Sequence, residues 1–356
     1  MPARPTRRRV TIKDVAARCG VSTSAVSNVL RHAYGVSPEM QAKVEAAIAE
    51  LGYRPHAGAR AMRGRSYTLG VMLADVHNPF AAELVDAILE SFLGTEYQVI
   101  LGPGGGQPDT QCRSVEAMVD RQVDGVILIA PMMPQDWLED LAATVPTVVL
   151  ARHGRAVGYD TVVDDDFVGA QLVVNHLVGL GHRRIAHIAN GDGGLRRPHL
   201  LPQTVRIDGY RRAMCDHGLE AEIDIATETY SEEGGYRATG TLLGRKHPPT
   251  AIFAGADIAA FGVLRAAHEA GLTIPGDLSL AAYDNTSIAA IPQINLTSVD
   301  QSGHLVGQTA ARLLIERIEG RTAPILFSVA PSLVVRGTTA PVHQAAVRGH
   351  DISGVA

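Results

Sequence analysis

From Tyr67 onward, short apolar runs alternate with longer amphipathic stretches. The apolar runs cover residues 67–74, 97–102, 124–130 and 146–151. Each run is short enough for a buried strand and ends in turn residues, whereas 80–94 and 109–123 carry apolar residues at helical spacing. This alternation predicts β-α-β units, which form a parallel sheet covered by helices on both faces.

The same alternation restarts near residue 160. Its segments are a run at 160–164, a helix at 169–179, and runs at 183–189, 250–255 and 278–284. Two similar α/β halves in succession predict two lobes with a cleft between them. Ligands of parallel sheets bind beyond the carboxyl ends of the strands, so residues that follow these runs are candidates for a binding site.

The N-terminal segment has a helical pattern instead. Ile12, Val15 and Ala16 share one helical face. Thr11 is a suitable N-cap, and it places the charge of an aspartate in the first turn, where the helix dipole favours it. Gly20 ends this helix, because glycine readily adopts the left-handed conformation of a tight exit.

A second helix follows, with Ser22 as its N-cap. Its apolar stripe is Ala25, Val26, Val29 and Leu30, and its outward polar residues are Thr23, Ser24, Ser27 and Asn28. Two short helices joined by a glycine turn predict a helix-turn-helix, whose second helix reads the DNA major groove. Small polar side chains can bond base edges there. An ordinary helical hairpin with a solvated face would show a similar pattern.

A third helix begins at Ser37 and Pro38 and runs to Gly52. Its apolar face comprises Met40, Val44, Ala47, Ile48 and Leu51. Packed on the first two helices, this face closes a small core, and we expect a three-helix headpiece over residues 10–53.

Charge is divided unevenly along the chain, although the formal net charge is only −5. Residues 1–65 contain twelve Lys and Arg against four acidic residues, and the remainder contains twenty against thirty-three. A basic N-terminal part, including a basic tail at 1–9, favours phosphate contacts, because neutralised phosphates release counterions. The charge pattern therefore supports nucleic-acid binding.

Several other classes of protein have no support in the sequence. It has neither an apolar stretch of about 18 residues for a membrane span nor the apolar region of a secretory signal, so we expect a cytoplasmic protein with no membrane partner. The three cysteines lack metal-ligand spacing, and no metal or cofactor is expected. The glycine-rich segment 102–106 lacks the spacing of a dinucleotide-binding loop, other enzyme motifs do not occur, and no catalytic activity is expected.

The segment TIKDVAARCGVSTSAVSNVL at 11–30, followed by LGYRP at 51–55, resembles the headpiece of the lactose/galactose repressor (LacI/GalR) family of bacterial transcription regulators. The resemblance extends from about residue 10 to 340. It implies an all-α helix-turn-helix headpiece and a hinge helix, then a bilobed α/β domain like that of periplasmic binding proteins, with parallel sheets. It also implies a homodimer on double-stranded operator DNA and a small-molecule effector, with a sugar or sugar derivative favoured.

The positions expected to contact DNA are the base readers, their neighbours and the hinge. They are Thr11, Lys13, Ser22, Thr23, Ser24, Ser27, Asn28, Arg31, Tyr53, Arg60 and Met62. By resemblance, the linker 54–65 contains the hinge helix, in which Met62 replaces the usual Leu that enters the minor groove. Gly58 raises the cost of ordering that helix by roughly 0.5–1 kcal/mol. A plain flexible linker is the alternative.

The resemblance also divides the body, residues 66–340, into lobes between which the chain crosses three times. Lobe 1 is expected at about 66–161 and 295–323, and lobe 2 at about 162–294 and 324–340. The tail 341–356 has no periodic pattern and is expected to be disordered.

By resemblance, the effector contacts lie mainly at strand ends. They are Asp75, Phe80, Arg152, Arg206, Tyr230, Asp257 and Asp284. Arg206 matches an arginine whose guanidinium forks onto ligand hydroxyls or a carboxylate, and Asp284 matches a bidentate acceptor for sugar hydroxyls or base NH groups. A surface arginine and a core tyrosine are the structural alternatives for Arg206 and Tyr230. Ala151 and Ala256 stand where the family has polar residues, so the sugar contacts depart from its usual pattern.

We therefore predict a ligand-responsive, sequence-specific transcription regulator that binds a palindromic operator. Most regulators of this family are repressors, so we expect a repressor. The alternatives are a sugar-binding transport component without a DNA function and a carbohydrate-active enzyme. The helix-turn-helix pattern argues against the first, and no pair of carboxylates suited to glycoside chemistry can be placed for the second.

Overall fold

The computed structural model of the chain describes residues 10–30, 35–53, 64–191 and 201–342. The chain divides into two units, Met1–Ser66 and Tyr67–Ala356. Several sequence predictions lie outside the described residues. They concern the tail 1–9, the hinge helix, Arg31, Arg60, Met62 and nearly all of the tail 341–356.

Three helices form the headpiece: α1 Ile12–Cys19, α2 Thr23–Val29 and α3 Pro38–Leu51. The backbone N–H of Thr11 donates to the Asp14 carboxylate at 2.7 Å, and the Ser22 hydroxyl caps α2 by accepting from the N–H of Ala25 at 3.1 Å. Gly20 leaves α1 in the left-handed conformation, with φ 64°. The headpiece core is built from all three helices, through Val15, Ala16, Cys19, Val26, Val29, Val44 and Ala47. The predicted helix-turn-helix headpiece is confirmed.

Lobe 1 of the second unit is a six-stranded parallel sheet with helices on both faces. Its strands are β1 Thr68–Leu73, β2 Gln98–Pro103, β3 Gly125–Ile129, β4 Thr147–Leu150, β5 Asp160–Asp164 and β11 Leu326–Val329, in the order β11-β5-β4-β3-β1-β2. Its helices are α4 Pro79–Ser91, α5 Pro108–Val119, α6 Gln135–Ala142 and α11 Gly303–Ile318. Two apolar clusters, one on each face, hold these layers together.

Lobe 2 repeats this architecture. Its strands are β6 Ile185–Ala189, β7 Asp224–Thr227, β8 Ala251–Ala254, β9 Ser279–Asp284, β10 Thr297–Asp300 and β12 Ser332–Val334, in the order β12-β10-β9-β8-β6-β7. All neighbours are parallel except β12, which runs antiparallel to β10. Its helices are α7 Asp166–Gly179, α8 Pro202–Asp216, α9 Glu232–Leu243 and α10 Asp257–Glu269, with a short 3₁₀ helix at Glu220–Glu222.

The chain crosses between the lobes three times, but later than the boundaries set from the sequence. It leaves lobe 1 after Asp164, returns after Asp300 and leaves again after Val329. The crossings lie three to six residues beyond the approximate boundaries at 161/162, 294/295 and 323/324. Each crossing follows the carboxyl end of a strand, because a strand that pairs along its length has to stay in one sheet.

In the parts of the chain that the structure describes, every helix is too short or too polar to cross a bilayer.

Candidate functional site

The exposed polar residues of α2 form the first candidate surface. Thr23 and Ser24 are exposed at its amino end, and Asn28 is half-buried one turn further on. On α1, Lys13 is exposed beside the capping residue Thr11. This surface presents hydroxyl, amide and ammonium groups together, which suits contacts with base edges and phosphates.

Two predicted DNA contacts of the headpiece, Ser27 and Tyr53, pack toward its core. Ser27 is only 8% exposed, so it lies on the inner side of α2, and its assignment as an outward residue was wrong. Asn28 remains the predicted base reader at that end of the helix. Tyr53 packs against the headpiece core.

The second candidate site lies where the carboxyl ends of the strands of both lobes meet. All three crossings leave from these ends, so the two sheets present these edges to each other. Several non-glycine residues there have positive φ: Ala130 and Ala151 follow β3 and β4, Asp284 ends β9 with φ 117°, and Ser302 follows β10. Such conformations cost about 1–3 kcal/mol each and concentrate at functional sites.

Arg206 on α8 is the centre of this site. It is buried, its Nε donates to Oδ1 of Asp166 at 2.6 Å, and its Nη1 donates to the carbonyl of Gly255 at 2.6 Å. The guanidinium carbon lies 3.7 Å from the ring centre of Tyr283, a cation-π contact. Three neighbours thus hold Arg206 in one orientation at the end of the sheet.

Asp166 also joins the two lobes. Its Oδ2 accepts from Nε2 of His153 at 2.6 Å, and His153 follows β4 in lobe 1 whereas Asp166 begins α7 in lobe 2. Burial alone would raise the pKa of Asp166, but the charge of Arg206 and the hydrogen bond from His153 outweigh it and lower this pKa. Asp166 is therefore an ionised carboxylate with both oxygens occupied.

Asp284 has one oxygen that no protein donor satisfies. Its Oδ1 accepts from Nε2 of Gln301 at 2.6 Å, while Oδ2 is buried without a donor among the residues that the structure describes. Burial raises the pKa of Asp284 well above its usual value, although Arg206 opposes the shift. A buried carboxyl oxygen without a partner is costly, and a ligand hydroxyl, which can donate or accept, would satisfy it in either protonation state.

Tyr230 and Asp257 lie in the same lobe, and the surroundings of their polar atoms differ. The Tyr230 hydroxyl is buried next to Gly255, and burial raises its pKa to about 12. Both oxygens of Asp257 are occupied by protein donors: Ser298 donates to one, and the backbone and hydroxyl of Thr286 donate to the other. Asp257 therefore ties the start of α10 to the neighbouring strand and loop.

The predicted residues of lobe 1 follow β1 and β4. Asp75 is exposed and accepts from the backbone N–H of His77 at 2.9 Å. Phe80 is half-buried at the start of α4, and its ring packs where Gly303 begins α11. Arg152 is buried and donates to the carbonyls of Pro131 and Met133, so it braces a loop of lobe 1.

The structure thus brings the predicted residues Arg206, Tyr230 and Asp284 close enough to interact electrostatically. The same site also contains four residues that the sequence analysis missed: Asp164, Asp166, His153 and Tyr283. Three consecutive aspartates at 164–166, at the end of a predicted strand, were the available signal for Asp164 and Asp166. Within the described ranges, no group of three potential metal ligands is arranged to hold an ion.

Comparison with known proteins identifies both parts of the chain. The family described as "Bacterial regulatory proteins, lacI family" matches residues 11–56, and the family described as "Periplasmic binding protein-like domain" matches residues 174–339. The ribose operon repressor of Escherichia coli (strain K12) is 34% identical over 336 residues, which cover 92% of this chain and 99% of the relative.

Solved structures extend the similarity over both units. The Lac repressor dimer bound to operator and the anti-inducer ONPF is 27% identical, with a TM-score of 0.75 over 94% of this chain and 100% of that one. A LacI family transcriptional regulator from Enterococcus faecium with bound ribose is 28% identical, with a TM-score of 0.68 over 78% of this chain and 100% of that one. These matches rule against the transport component and the carbohydrate-active enzyme. The chain belongs to the LacI family: it is a DNA-binding transcriptional repressor with a periplasmic-binding-protein-like effector domain, and not an enzyme.

Proposed function

We propose that this repressor binds a palindromic operator as a homodimer and responds to a sugar or sugar derivative held between its lobes. The observation that carries the effector part is the Asp284 oxygen that has no hydrogen-bond partner among the described residues, close to the oriented guanidinium of Arg206. A polyol offers hydroxyls that both donate and accept, so it suits a site with one unpartnered carboxyl oxygen and one guanidinium.

The headpiece supports the DNA part. Thr23, Ser24 and Asn28 present polar groups from the second helix of a helix-turn-helix, and the first 65 residues are strongly basic. A helix-turn-helix reads one half-site, and a pair related by a two-fold axis reads a palindrome. The structurally similar Lac repressor is a dimer on its operator, which favours the same assembly here.

Polar contacts between the lobes couple the effector site to lobe closure. One joins His153 to Asp166 at 2.6 Å, a second joins the Glu83 carboxylate to the backbone N–H of Ser287 at 2.7 Å, and a third joins the Tyr283 hydroxyl to Asp164 at 2.6 Å. An effector that binds one arrangement of the lobes better than another shifts their populations. It can change operator affinity only by that difference in binding free energy.

A ligand screen tests the effector part. Purified protein is heated with sugars, polyols and nucleobases, and a ligand that binds the folded state raises the unfolding midpoint as its concentration rises. We expect Arg206→Ala to abolish the response. Arg212→Ala is the matched control, because Arg212 lies on the same helix but is exposed and pairs with Asp216. An Arg206→Ala variant that still responds fully would contradict the assignment.

A further inference from the structure

The charge of Arg206 is already neutralised by the protein. Asp166 is fully buried, and its two oxygens are engaged by Arg206 and His153 at 2.6 Å each. A phosphate or carboxylate that bound Arg206 in the same way would have to displace Asp166. The displaced carboxylate would then be buried without its cation, which is strongly unfavourable.

The other groups around Arg206 also disfavour an anion. Asp164 and Asp284 both lie close enough for the Arg206 charge to affect them, and both are nearly fully buried. One guanidinium therefore faces the Asp166 carboxylate and two carboxyl groups with raised pKa values, none of which brings a positive charge to an anion. An added negative charge would find a single cation that is already paired, in a medium where charges are weakly screened.

We propose that Asp166 determines the charge class of the effector: by holding Arg206 in a neutral pair, it makes the site select uncharged polyols over phosphorylated or carboxylate-bearing sugars. This inference rests on the proposed effector function of the cleft. An uncharged polyol leaves the Asp166–Arg206 pair intact and brings a hydroxyl to Oδ2 of Asp284. The discrimination comes from a residue that does not itself have to touch the ligand.

The test uses sets of ligands that share a sugar skeleton, one member uncharged and the others bearing a phosphate or carboxylate: ribose with ribose 5-phosphate, and glucose with glucose 6-phosphate and gluconate. Affinities are measured by titration calorimetry, with the thermal shift as a second readout. We expect the wild-type protein to bind an uncharged member at least tenfold more tightly than its charged partner. Asp166→Asn, which frees Arg206, should reduce or reverse that preference by at least tenfold.

Asp165→Asn is the matched control. Asp165 is exposed, lies next to Asp166 and caps α7 by accepting from the N–H of Val168 at 3.1 Å, a role that asparagine fills equally well. The Asp165→Asn substitution removes the same charge as Asp166→Asn and should leave the preference for uncharged ligands unchanged. The double variant Asp166→Asn/Arg206→Gln removes both partners of the pair and should lose any gained affinity for phosphate.

The outcomes separate the two proposals. Tighter binding of a charged member by the wild-type protein overturns the role of Asp166 and leaves the cleft function standing, as does an unchanged preference in folded Asp166→Asn. If Asp166→Asn does not fold, the role of Asp166 is tested by two results: the preference of the wild-type protein for uncharged ligands, and the affinity of the charge-neutral double variant for the phosphorylated sugars. A wild-type protein that responds to no member of either set overturns the effector function and this inference together.

Discussion

Asp164 is buried at the point where the chain leaves lobe 1. Its Oδ2 accepts from the Tyr283 hydroxyl at 2.6 Å, and Asp166 and Arg206 are among its charged neighbours. Burial, together with the nearby charge of Asp166, raises the pKa of Asp164 to about 7. The folded protein therefore holds this carboxyl protonated at pH values where the unfolded chain has already released the proton.

This raised pKa predicts a pH-dependent effect of Asp164→Asn. Below about pH 4 both states of the wild type are protonated, and its stability falls as pH rises from there to about 7. The variant does not titrate, so its advantage in unfolding midpoint should grow between pH 5 and 7.5, reach a few degrees and then level off. Thermal unfolding across this range, with Asp165→Asn as the charge control, measures it; a constant difference would refute the pKa argument.

Asn28 carries a prediction about base recognition. Asparagine pairs with adenine through two hydrogen bonds, and such a pair is worth about 1–3 kcal/mol of discrimination. We expect Asn28→Ala to lose that discrimination at one base pair in each half-site. Lys13→Ala, which removes an exposed cation, should weaken binding to all sequences alike and reduce its salt dependence. Gel shifts on a panel of substituted operators distinguish these results; an equal loss on every operator for Asn28→Ala would remove Asn28 from the base readers.

At the scale of elements, the contact between α7 and α8 sets the position of Arg206. A Cβ atom at Gly209 on α8 would lie 2.4 Å from the carbonyl oxygen of Phe167 and 2.9 Å from Cβ of Ala170 on α7. Glycine is needed here because the helices approach closely, and Arg206 lies one turn before it on α8.

Gly209→Ala should therefore force α8 away from α7. We expect a loss of about 1–3 kcal/mol in the free energy of unfolding, typical of overpacking, and weaker effector binding because Arg206 moves with its helix. Gly218→Ala beyond the end of α8 is a contrasting variant, since it has free space but a positive φ, and it should lose stability without losing effector affinity in the folded protein. Chemical unfolding and calorimetry separate the two effects. Unchanged effector affinity in folded Gly209→Ala would show that α8 does not move.

At the scale of the whole second unit, the contact between Glu83 and Ser287 stabilises the observed arrangement of the lobes. Glu83 lies on α4 of lobe 1, and Ser287 follows β9 of lobe 2. A partly exposed hydrogen bond to a carboxylate contributes about 0.5–1 kcal/mol. Glu83→Ala should weaken effector binding about two- to fivefold, whereas Glu83→Gln keeps an acceptor and should bind nearly as the wild type. The control is Glu90→Ala on the exposed side of α4; equal affinities in all three would exclude a latch at this position.

The sequence by itself determined the three headpiece helices, the strands of the alternating apolar runs and the class of the protein, but it did not indicate β7, β10, β11, β12 or several helices of the lobes. Caps at Thr11, Ser22 and Ser37 and the periodicity of apolar residues depend on neighbours a few positions apart, so they can be recognised without the fold. The position of Asp284 at a strand end was visible for the same reason. The headpiece motif was specific enough to indicate the family.

Only the tertiary structure decided which residues share the cleft. Arg206 and Asp166 are 40 positions apart, and Tyr283 and Asp164 are 119 apart, so their pairing depends on how helices and strands of two lobes pack. The same holds for the inward side of Ser27 and for the strands at which the chain changes lobes. Local periodicity records whether a side chain is buried within its own element, but hydrogen-bond and charge partners are set by distances that exist only after the chain has folded.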